Sequence, residues 1–310
     1  MPKELTHWIL ADRVLAGLSP DSRLREIIGA HHSAYLGGAV LPDTLLHLFH
    51  GPHAATALAL AHSFHDTVGN SFAPLIQTER RFPDGLPPAM LACLLGVITH
   101  IEADIIFHPF VFALAETDDA GRHYQIETDI DCYFLRKGIR PSARHLVDLI
   151  SPDTQKTLVN ACVQLFDPEG ALPPTVPEHA LALHCSYQAK YDRTFWKLAV
   201  RLLSMAMGSP FREQRHLFYP LALSSASYRI KDSASEWHHP VTGELQRSTI
   251  EELARDAVKR TIDLLTLIET KGSLAVALQT RHGENLLTGL HGVNRSAMDK
   301  RRSEPEMADN

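Results

Sequence analysis

The sequence predicts an all-α protein, and three observations support this class. Apolar residues recur at the spacing of an α-helix in several long segments, and the alternation typical of strands is scarce. Proline and glycine cluster between these segments, where they end helices. With 310 residues, of which 45% are hydrophobic and 21% charged, the chain is expected to form one large folded domain or two compact ones.

Five segments carry the strongest helical signals. Ala54–His65 is rich in alanine and leucine and contains no helix breaker. Prolines at positions 83, 87 and 88 separate it from the next apolar segment. Late in the chain, a capping box from Ser248 to Glu251 precedes an apolar stripe that ends at Gly272. The five predicted helices lie around residues 9–18, 54–65, 90–107, 122–135 and 250–268.

The densest run of proline and glycine, residues 167–177, is the candidate domain boundary. We expect a helical domain over residues 1–165 and a helical extension or second subdomain over residues 178–293. The same run is also compatible with a long surface loop inside one domain. Residues 294–310 are polar with mixed charges, which predicts a disordered tail.

Composition and charge argue against several classes of protein. The net charge of -6 and the lack of a basic stripe disfavour a nucleic-acid partner. The four scattered cysteines form no CxxC pair, so neither a disulfide framework nor a thiolate zinc site is indicated. The first residues are charged and polar where a signal peptide carries its apolar run, and a cytoplasmic location is therefore expected.

The most apolar segment, Leu91–Ala115, is not expected to cross a membrane. His100, Glu102, Asp104 and His108 interrupt it, and a bilayer span has no reason to hold four ionisable groups. We interpret it as a buried helix that lines a polar site. Glu102 points away from the other three residues, and we expect it to face solvent or to support the site indirectly.

Histidine is the residue type that stands out, with 19 copies, 11 of them from His7 to His123. His100, Asp104 and His108 are spaced i, i+4, i+8 and therefore share one helical face. Cα atoms eight residues apart on a helix are separated by about 12 Å. Zinc–ligand bonds are roughly 2 Å, so one ion cannot bind both histidines on a straight helix. The carboxylate between them has two oxygens, and the spacing predicts more than one metal.

A second motif, His123-x3-Glu127, offers one imidazole and one carboxylate from a predicted helix. Fifteen residues separate His108 from His123, enough to turn the second helix back onto the first. This arrangement predicts His108, His123 and Glu127 around one metal. Burying a carboxylate without a partner costs several kcal/mol, about 2–7 for a polar group in general, so a cation is the favoured partner.

Upstream residues are expected to complete the site. Asp43 follows a proline at a predicted helix start, and His7 lies at the beginning of the first helix. His62 and His65 share a helix face and compete for one ligand position, with His65 preferred and both retained. The Trp237–Gly243 turn offers His238 or His239, or packs as an ordinary turn. The remaining histidines that we interpret as ordinary surface or core residues include His47, His50, His53, His145, His179 and His216.

In order and spacing, these residues resemble the zinc-dependent phospholipase C family, which includes the catalytic domain of glycosylphosphatidylinositol-specific phospholipase D. The resemblance covers about residues 5–131. It implies an all-helical fold, phosphodiester hydrolysis and two or three clustered zinc ions, with Asp43 as a ligand or base and Asp104 as a bridge between two ions. The matching pieces are His7-Trp8, Gly38-Ala39-x-x-Pro42-Asp43, an intervening His, His100-x3-Asp104-x3-His108 and His123-x3-Glu127.

The leading hypothesis is a zinc-dependent phosphodiesterase that acts on a phospholipid or a small phosphodiester, with no nucleic-acid partner. Asp43 and Asp104 are the predicted catalytic residues. The predicted metal ligands are His7, Asp43, His62, His65, His100, Asp104, His108, His123 and Glu127.

Three alternatives remain at this stage. An HD-type phosphohydrolase would use His32, His65, Asp66 and Asp104. A zinc nuclease shares the same metal logic, although the acidic balance disfavours it. The third alternative is a non-catalytic helical binding module stabilised by metal, because structural zinc sites are closed by protein ligands.

Overall fold

A computed structural model describes residues 3–115, 119–207, 211–223, 230 and 233–298. Over these residues the fold is all-α, as predicted, and the strands β1 (Ser235–His238) and β2 (Leu245–Ser248) form one antiparallel hairpin. The helices are α1 (Glu4–Gly17), α2 (Arg23–Ala30), α3 (His32–Gly38), α4 (Ala54–His65), α5 (Ala73–Arg80), α6 (Pro88–Ala115), α7 (Ala120–Arg136), α8 (Pro152–Phe166), α9 (Thr175–Gln188), α10 (Thr194–Ala206), α11 (Phe211–Gln214), α12 (Ile250–Lys271) and α13 (Leu274–Thr280). Three 3₁₀ segments, Leu41–His47, Leu146–Leu149 and Arg215–Leu217, lie between them.

The helix ends follow local capping chemistry. The capping box of α12 is formed by Thr249 and Glu252, one residue later than the predicted Ser248 and Glu251. Thr249 Oγ1 accepts from the backbone N–H of Glu252, whose carboxylate accepts from the N–H of Thr249. Gly272 ends α12 as predicted, in the left-handed conformation with φ of 67°.

Helix α6 is the central helix of the molecule. It ends at Ala115, as predicted for the apolar segment Leu91–Ala115 and beyond the helical signal around residues 90–107, although Pro109 removes one backbone donor from its ladder. Among the described helices, α6 alone is long and apolar enough to cross a membrane, judged by length and composition. However, 89% of its most apolar window is buried inside the protein. Its polar side chains therefore face other helices and create a site in the interior.

Helices α3 and α6 cross at two glycines. A Cβ at Gly38 would lie 2.0 Å from the carbonyl oxygen of Cys93, and one at Gly96 would lie 2.0 Å from that of Tyr35. No side chain larger than hydrogen fits at either position without a backbone shift. The close approach brings Ala39, directly after α3, to the face of α6 that carries His100.

The C-terminal helices pack onto the same core as the first half of the chain. Leu264 and Leu265 of α12 and Leu278 of α13 belong to one buried apolar cluster with residues of α1, α3 and α6. The proline- and glycine-rich stretch 167–177 leads into α9, and the Asp167 carboxylate accepts from two backbone N–H groups of that turn. Of the predicted tail, residues 299–310 lie outside the described residues.

Candidate metal centre

Five of the predicted side chains converge beneath the surface, and we call them the inner cluster. They come from four elements: His7 from α1, Asp43 from the Leu41–His47 segment, His65 from the last position of α4, and His100 and Asp104 from α6. Four of these residues are at most 4% exposed, and Asp43 is 8% exposed. Asp43 is therefore the member closest to solvent.

The separations within the inner cluster suit ligands that share an ion. Nε2 of His100 lies 3.1 Å from Oδ2 of Asp104 and 3.9 Å from Oδ1 of Asp43. Nε2 of His65 lies 3.4 Å from Oδ1 of Asp43 and 3.9 Å from Oδ2 of Asp104. Ligands about 2.1 Å from a tetrahedral zinc are roughly 3.4 Å apart, inside this range. Asp43, His65, His100 and Asp104 thus form a suitable four-ligand set.

The Nδ1 atoms of His65 and His100 are hydrogen-bonded to the backbone, which leaves Nε2 as the atom of each ring that can bind a metal. Nδ1–H of His65 donates to the carbonyl of Ala61 at 2.8 Å, and Nδ1–H of His100 donates to that of Ala39 at 2.9 Å. A carbonyl only accepts, so the neutral rings keep a lone pair on Nε2. Metal-binding histidines are commonly oriented through the other ring nitrogen in this way.

Several buried polar atoms at the centre of this cluster lack a hydrogen-bond partner within the described part of the chain. Leaving so many polar atoms unpaired in one place costs several kcal/mol, at about 1–3 per group, unless a ligand compensates them. Divalent cations are the natural compensation for facing imidazole and carboxylate atoms, so the residues fit zinc. The atoms are both ring nitrogens of His7, Nε2 of His65 and His100, Oδ1 of Asp43 and both carboxylate oxygens of Asp104.

Asp104 presents its two oxygens to different partners. Oδ1 faces Nε2 of His7 at 3.5 Å, and Oδ2 faces Nε2 of His100. The ring of His7 stacks on that of His100, with 4.2 Å between centroids. His108, one turn further along α6, has a different partner. Nδ1–H of His108 donates to the carbonyl of Leu286 at 2.6 Å, and Nδ1 lies 3.8 Å from Oδ2 of Asp104.

The electrostatics of the inner cluster favour an ionised Asp104 and a neutral His7. Burial by itself would raise the pKa of Asp104, but the neighbouring His100 and His108 outweigh it and lower this pKa. Burial lowers the pKa of His7 to about 3, with a further contribution from His100. His100 is opposite in sign: burial lowers its pKa, yet Asp104 and Asp43 raise it above the usual value. A cation between these groups takes the place of the proton that His100 would otherwise hold.

A second group joins α6 to α7, and we call it the α7 triad: His108, His123 and Glu127. Their ligand atoms lie within 4.8 Å of one another, and Nε2 of His123 is 2.7 Å from Oε1 of Glu127. The three residues that the sequence predicted around one metal are therefore brought together. The packing of α6 against α7 places the two histidine rings 6.1 Å apart.

Other predicted residues lie elsewhere. His62 is exposed on the outer face of α4 and belongs to none of the metal-competent groups among the described residues, so the structure supports His65 and not His62. Glu102 is fully buried and pairs with Arg260 at 2.5 Å and Arg281 at 3.3 Å. The expectation that it faces solvent was therefore wrong. The guanidinium groups of these two arginines, from the C-terminal half of the chain, stabilise the buried carboxylate.

The β1–β2 hairpin, which contains Trp237, contributes no ligand to these groups. Nε2 of His239 contacts the carbonyl of Thr288 at 3.1 Å, and its Nδ1 accepts from backbone N–H groups of the turn. His238 is exposed, with its Nδ1 3.1 Å from the carbonyl of Gly243. Trp237 packs edge-on against Phe110 of α6. The ordered, packed turn is the interpretation that holds.

The residues specific to an HD-type site do not join the inner cluster. Oδ1 of Asp66 accepts from the side-chain amide of Asn285 and from the backbone N–H of Arg295. Nε2 of His32 lies 3.7 Å from Oδ1 of Asp12, and the two side chains are 35% and 26% exposed. Neither Asp66 nor His32 belongs to a metal-competent group within the described ranges.

One group was missed by the sequence analysis, and we call it the outer triad: Glu4, His47 and His184. Its ligand atoms also lie within 4.8 Å of one another. Two signals were present, since Glu4 precedes His7 by one helical turn and His47 follows Asp43 by four residues. His184 had no local signal, because α9 reaches the Leu41–His47 segment only in the folded chain. We had interpreted His47 as an ordinary histidine.

Taken together, an all-α core and clustered acidic and imidazole ligands define a helical protein with a potential multinuclear metal site. The family model described as zinc-dependent phospholipase C matches residues 6–168, just over half of the chain. The chain therefore belongs to the zinc-dependent phospholipase C family, which confirms the resemblance. No curated protein and no solved structure matches the chain. All nine predicted ligands lie within the matched residues, and the family name implies zinc.

Proposed function

We propose that this protein hydrolyses a phosphodiester, of the kind found in phospholipids, at the inner cluster and the α7 triad. The observation that carries the proposal is the convergence of Asp43, His65, His100 and Asp104, with unpartnered atoms 3.1–3.9 Å apart, in a member of this family. The family supports a metal-dependent phospholipase-like function. The phosphodiester specificity and the roles of single residues are the proposed part.

The residues of the inner cluster have different roles in this proposal. His65, His100 and Asp104 would hold one zinc ion with Asp43, and Asp104 Oδ1 with His7 offers a second position. Bound zinc supplies positive charge that neutralises phosphoryl oxygens and makes water more acidic. Asp43 has the most exposed side chain of the cluster, at 12%, and is placed to orient water and accept its proton where substrate arrives.

A substrate panel and one isosteric variant test this proposal. Zinc-loaded protein would be assayed on a short-chain phosphatidylcholine, a soluble nitrophenyl phosphodiester and the matching monoester. We expect turnover of at least one diester, little turnover of the monoester, and loss of activity on chelation that zinc restores. Activity on phosphatidylcholine alone would identify a lipid substrate, and activity on the soluble diester alone would identify a small one.

Asp43→Asn is the decisive variant. It keeps the size of the side chain but removes the charge and the proton acceptor, so we expect diester turnover to fall by about 100-fold or more. Asp66→Asn is the matched control, because Asp66 lies outside the inner cluster and Asn keeps its Oδ1 acceptor. Equal activity of Asp43→Asn and wild type would contradict the assignment. A selective loss in Asp66→Asn would instead favour the HD-type alternative.

A second function, a non-catalytic scaffold stabilised by metal, is favoured by one specific observation. Side chains of the inner cluster are only 0–12% exposed, and closed sites are typical of structural zinc. In that case chelation would lower the melting temperature by many degrees while no phosphoester in the panel was hydrolysed. Turnover that depends on zinc and on Asp43 would exclude this function.

A further inference from the structure

The outer triad is separate from the sites that the family implies. Glu4 lies on α1 one turn before His7, His47 ends the 3₁₀ segment that carries Asp43, and His184 comes from α9. Two of its three residues, Glu4 and His184, lie outside residues 6–168 that match the family model. The triad is therefore a feature of this chain that family membership does not account for.

The geometry of the triad suits a single cation. Oε1 of Glu4 lies 3.5 Å from Nε2 of His184, and the rings of His47 and His184 are stacked with 4.0 Å between centroids. Two imidazoles and one carboxylate form a donor set that binds zinc and leaves a fourth position open. His47 is only half-buried, which provides a route for an ion and a water molecule.

Two atoms of the triad are buried without a hydrogen-bond partner in the part of the chain that the structure describes. They are Oε2 of Glu4, in a residue 7% exposed, and Nε2 of His184, in a residue that is fully buried. Burying a carboxylate oxygen and a ring nitrogen without compensation is costly. A cation bound by Glu4 and His184 would compensate both residues.

The Leu41–His47 segment, which carries Asp43, contacts the Nδ1 atom of both rings. Nδ1–H of His47 donates to the carbonyl of Asp43 at 3.1 Å, which leaves a lone pair on its Nε2. Nδ1 of His184 is 3.2 Å from Oγ1 of Thr44. Such contacts through the second nitrogen orient histidine ligands at metal sites.

The ammonium group of Lys3 is the alternative to a metal ion as a source of positive charge for the Glu4 carboxylate. This group donates to the carbonyl of Leu217 and lies 4.0 Å from the ring centroid of Tyr191 and 4.7 Å from that of Tyr219. Lys3 therefore has contacts of its own away from the triad, and it makes no hydrogen bond to Glu4 among the bonds described.

We propose that Glu4, His47 and His184 bind one further divalent cation of the zinc class, independently of the inner cluster. The bound ion would join α1, the Leu41–His47 segment and α9. Since the inner cluster draws His7 and Asp43 from two of these elements, the ion would stabilise the backbone beneath the reaction site without taking part in the reaction.

Metal counting on the full-length protein tests the proposal. Wild type and variants would be saturated with zinc, freed of excess by desalting, and measured for zinc per chain. Glu4→Gln and His184→Ala should each hold about one zinc fewer than wild type. His179→Ala is the matched control, because His179 lies on the same helix and is exposed. Its zinc content should equal that of wild type.

The result that overturns the proposal is equal zinc content in wild type and Glu4→Gln, with both proteins folded by circular dichroism. In that case Glu4 and His184 form an ordinary buried acid–histidine pair. Should both variants fail to fold, zinc-edge anomalous diffraction on wild-type crystals decides, since a peak between the three side chains supports the site and its absence refutes it. A variant that lacks only the outer-triad ion holds one zinc fewer than wild type and keeps its diester turnover. If the proposed function is wrong, zinc-loaded wild type itself hydrolyses no diester, whatever its zinc content.

Discussion

The inner cluster and the outer triad lie side by side and share two structural elements, yet they differ in what they can hold. The inner cluster has two carboxylates, and Asp104 turns one oxygen toward His7 and the other toward His100. The outer triad has one carboxylate, Glu4, and two stacked imidazoles. A carboxylate with diverging oxygens permits more than one ion, whereas a single acid with two histidines suits one. The number and orientation of carboxylates thus separate a multinuclear site from a mononuclear one.

Asp104→Asn should have the largest effect, because it removes the carboxylate charge that lies 3.5 Å from Nε2 of His7 and 3.1 Å from Nε2 of His100. We expect diester turnover to fall by on the order of 1000-fold, as several kcal/mol of electrostatic stabilisation is lost. Zinc content should fall by one or two ions, while the zinc of the outer triad remains. Helical circular dichroism should be retained. Full activity with unchanged zinc would remove the inner cluster from the proposed mechanism.

His65→Ala should follow, with a loss of about 100-fold in turnover and weaker zinc binding. His65 points its Nε2 at Asp43 and Asp104, whereas His62 on the same helix is exposed. His62→Ala is therefore the matched control and should behave as wild type in both assays. A comparable loss in the His62 variant would mean that α4 presents its other face to the metal.

Gly96→Ala tests whether the α3–α6 crossing positions the inner cluster. A methyl group at this position meets the carbonyl of Tyr35 and must push the helices apart, at a cost of about 1–3 kcal/mol in unfolding free energy. The hydrogen bond from His100 to Ala39 should weaken with it, and zinc should dissociate at lower chelator concentration. Gly29→Ala is the control, because nothing lies within 4 Å of its Cβ. Equal unfolding free energies for the two variants would refute this role.

Asp131→Asn tests the anchor of α1, which carries members of both sites. The Asp131 carboxylate accepts from the N–H and hydroxyl of Thr6, between Glu4 and His7, and from the hydroxyl of Tyr219. Burial raises its pKa to about 6 from 3.8, and these hydrogen bonds oppose that shift only in part. The folded protein therefore keeps a proton that the unfolded chain has released, so stability falls as pH rises from about 4 to 6.

Asn does not titrate, so the Asp131→Asn variant does not lose stability in this way as the pH rises. Its unfolding free energy relative to wild type should rise by on the order of 2 kcal/mol between pH 4.5 and pH 7. Urea denaturation of both proteins at equal zinc loading measures the difference. A difference that stays constant over this pH range would show that Asp131 does not keep its proton in the folded state.

The helical fold and most of the metal ligands could be predicted from local patterns. Spacings of three and four residues on one helix place His100 beside Asp104 and His123 beside Glu127 wherever the helix packs. The helical signal around residues 90–107 stopped short of Pro109, whereas the apolar segment Leu91–Ala115 predicted the observed end of α6, whose buried surroundings outweigh one lost hydrogen bond. The burial of Glu102 depends on Arg260 and Arg281, more than 150 residues further along the chain.

Amino-acid order alone was enough for the all-α class, the ligand types and their pairing along single helices, because those follow from helix geometry within one or two turns. Folding in three dimensions selected His65 over His62, turned one oxygen of Asp104 toward His7, and brought His184 of α9 to Glu4 and His47. These outcomes depend on how separate helices cross and which faces they bury. Such contacts join residues distant in the chain, and no local spacing encodes them.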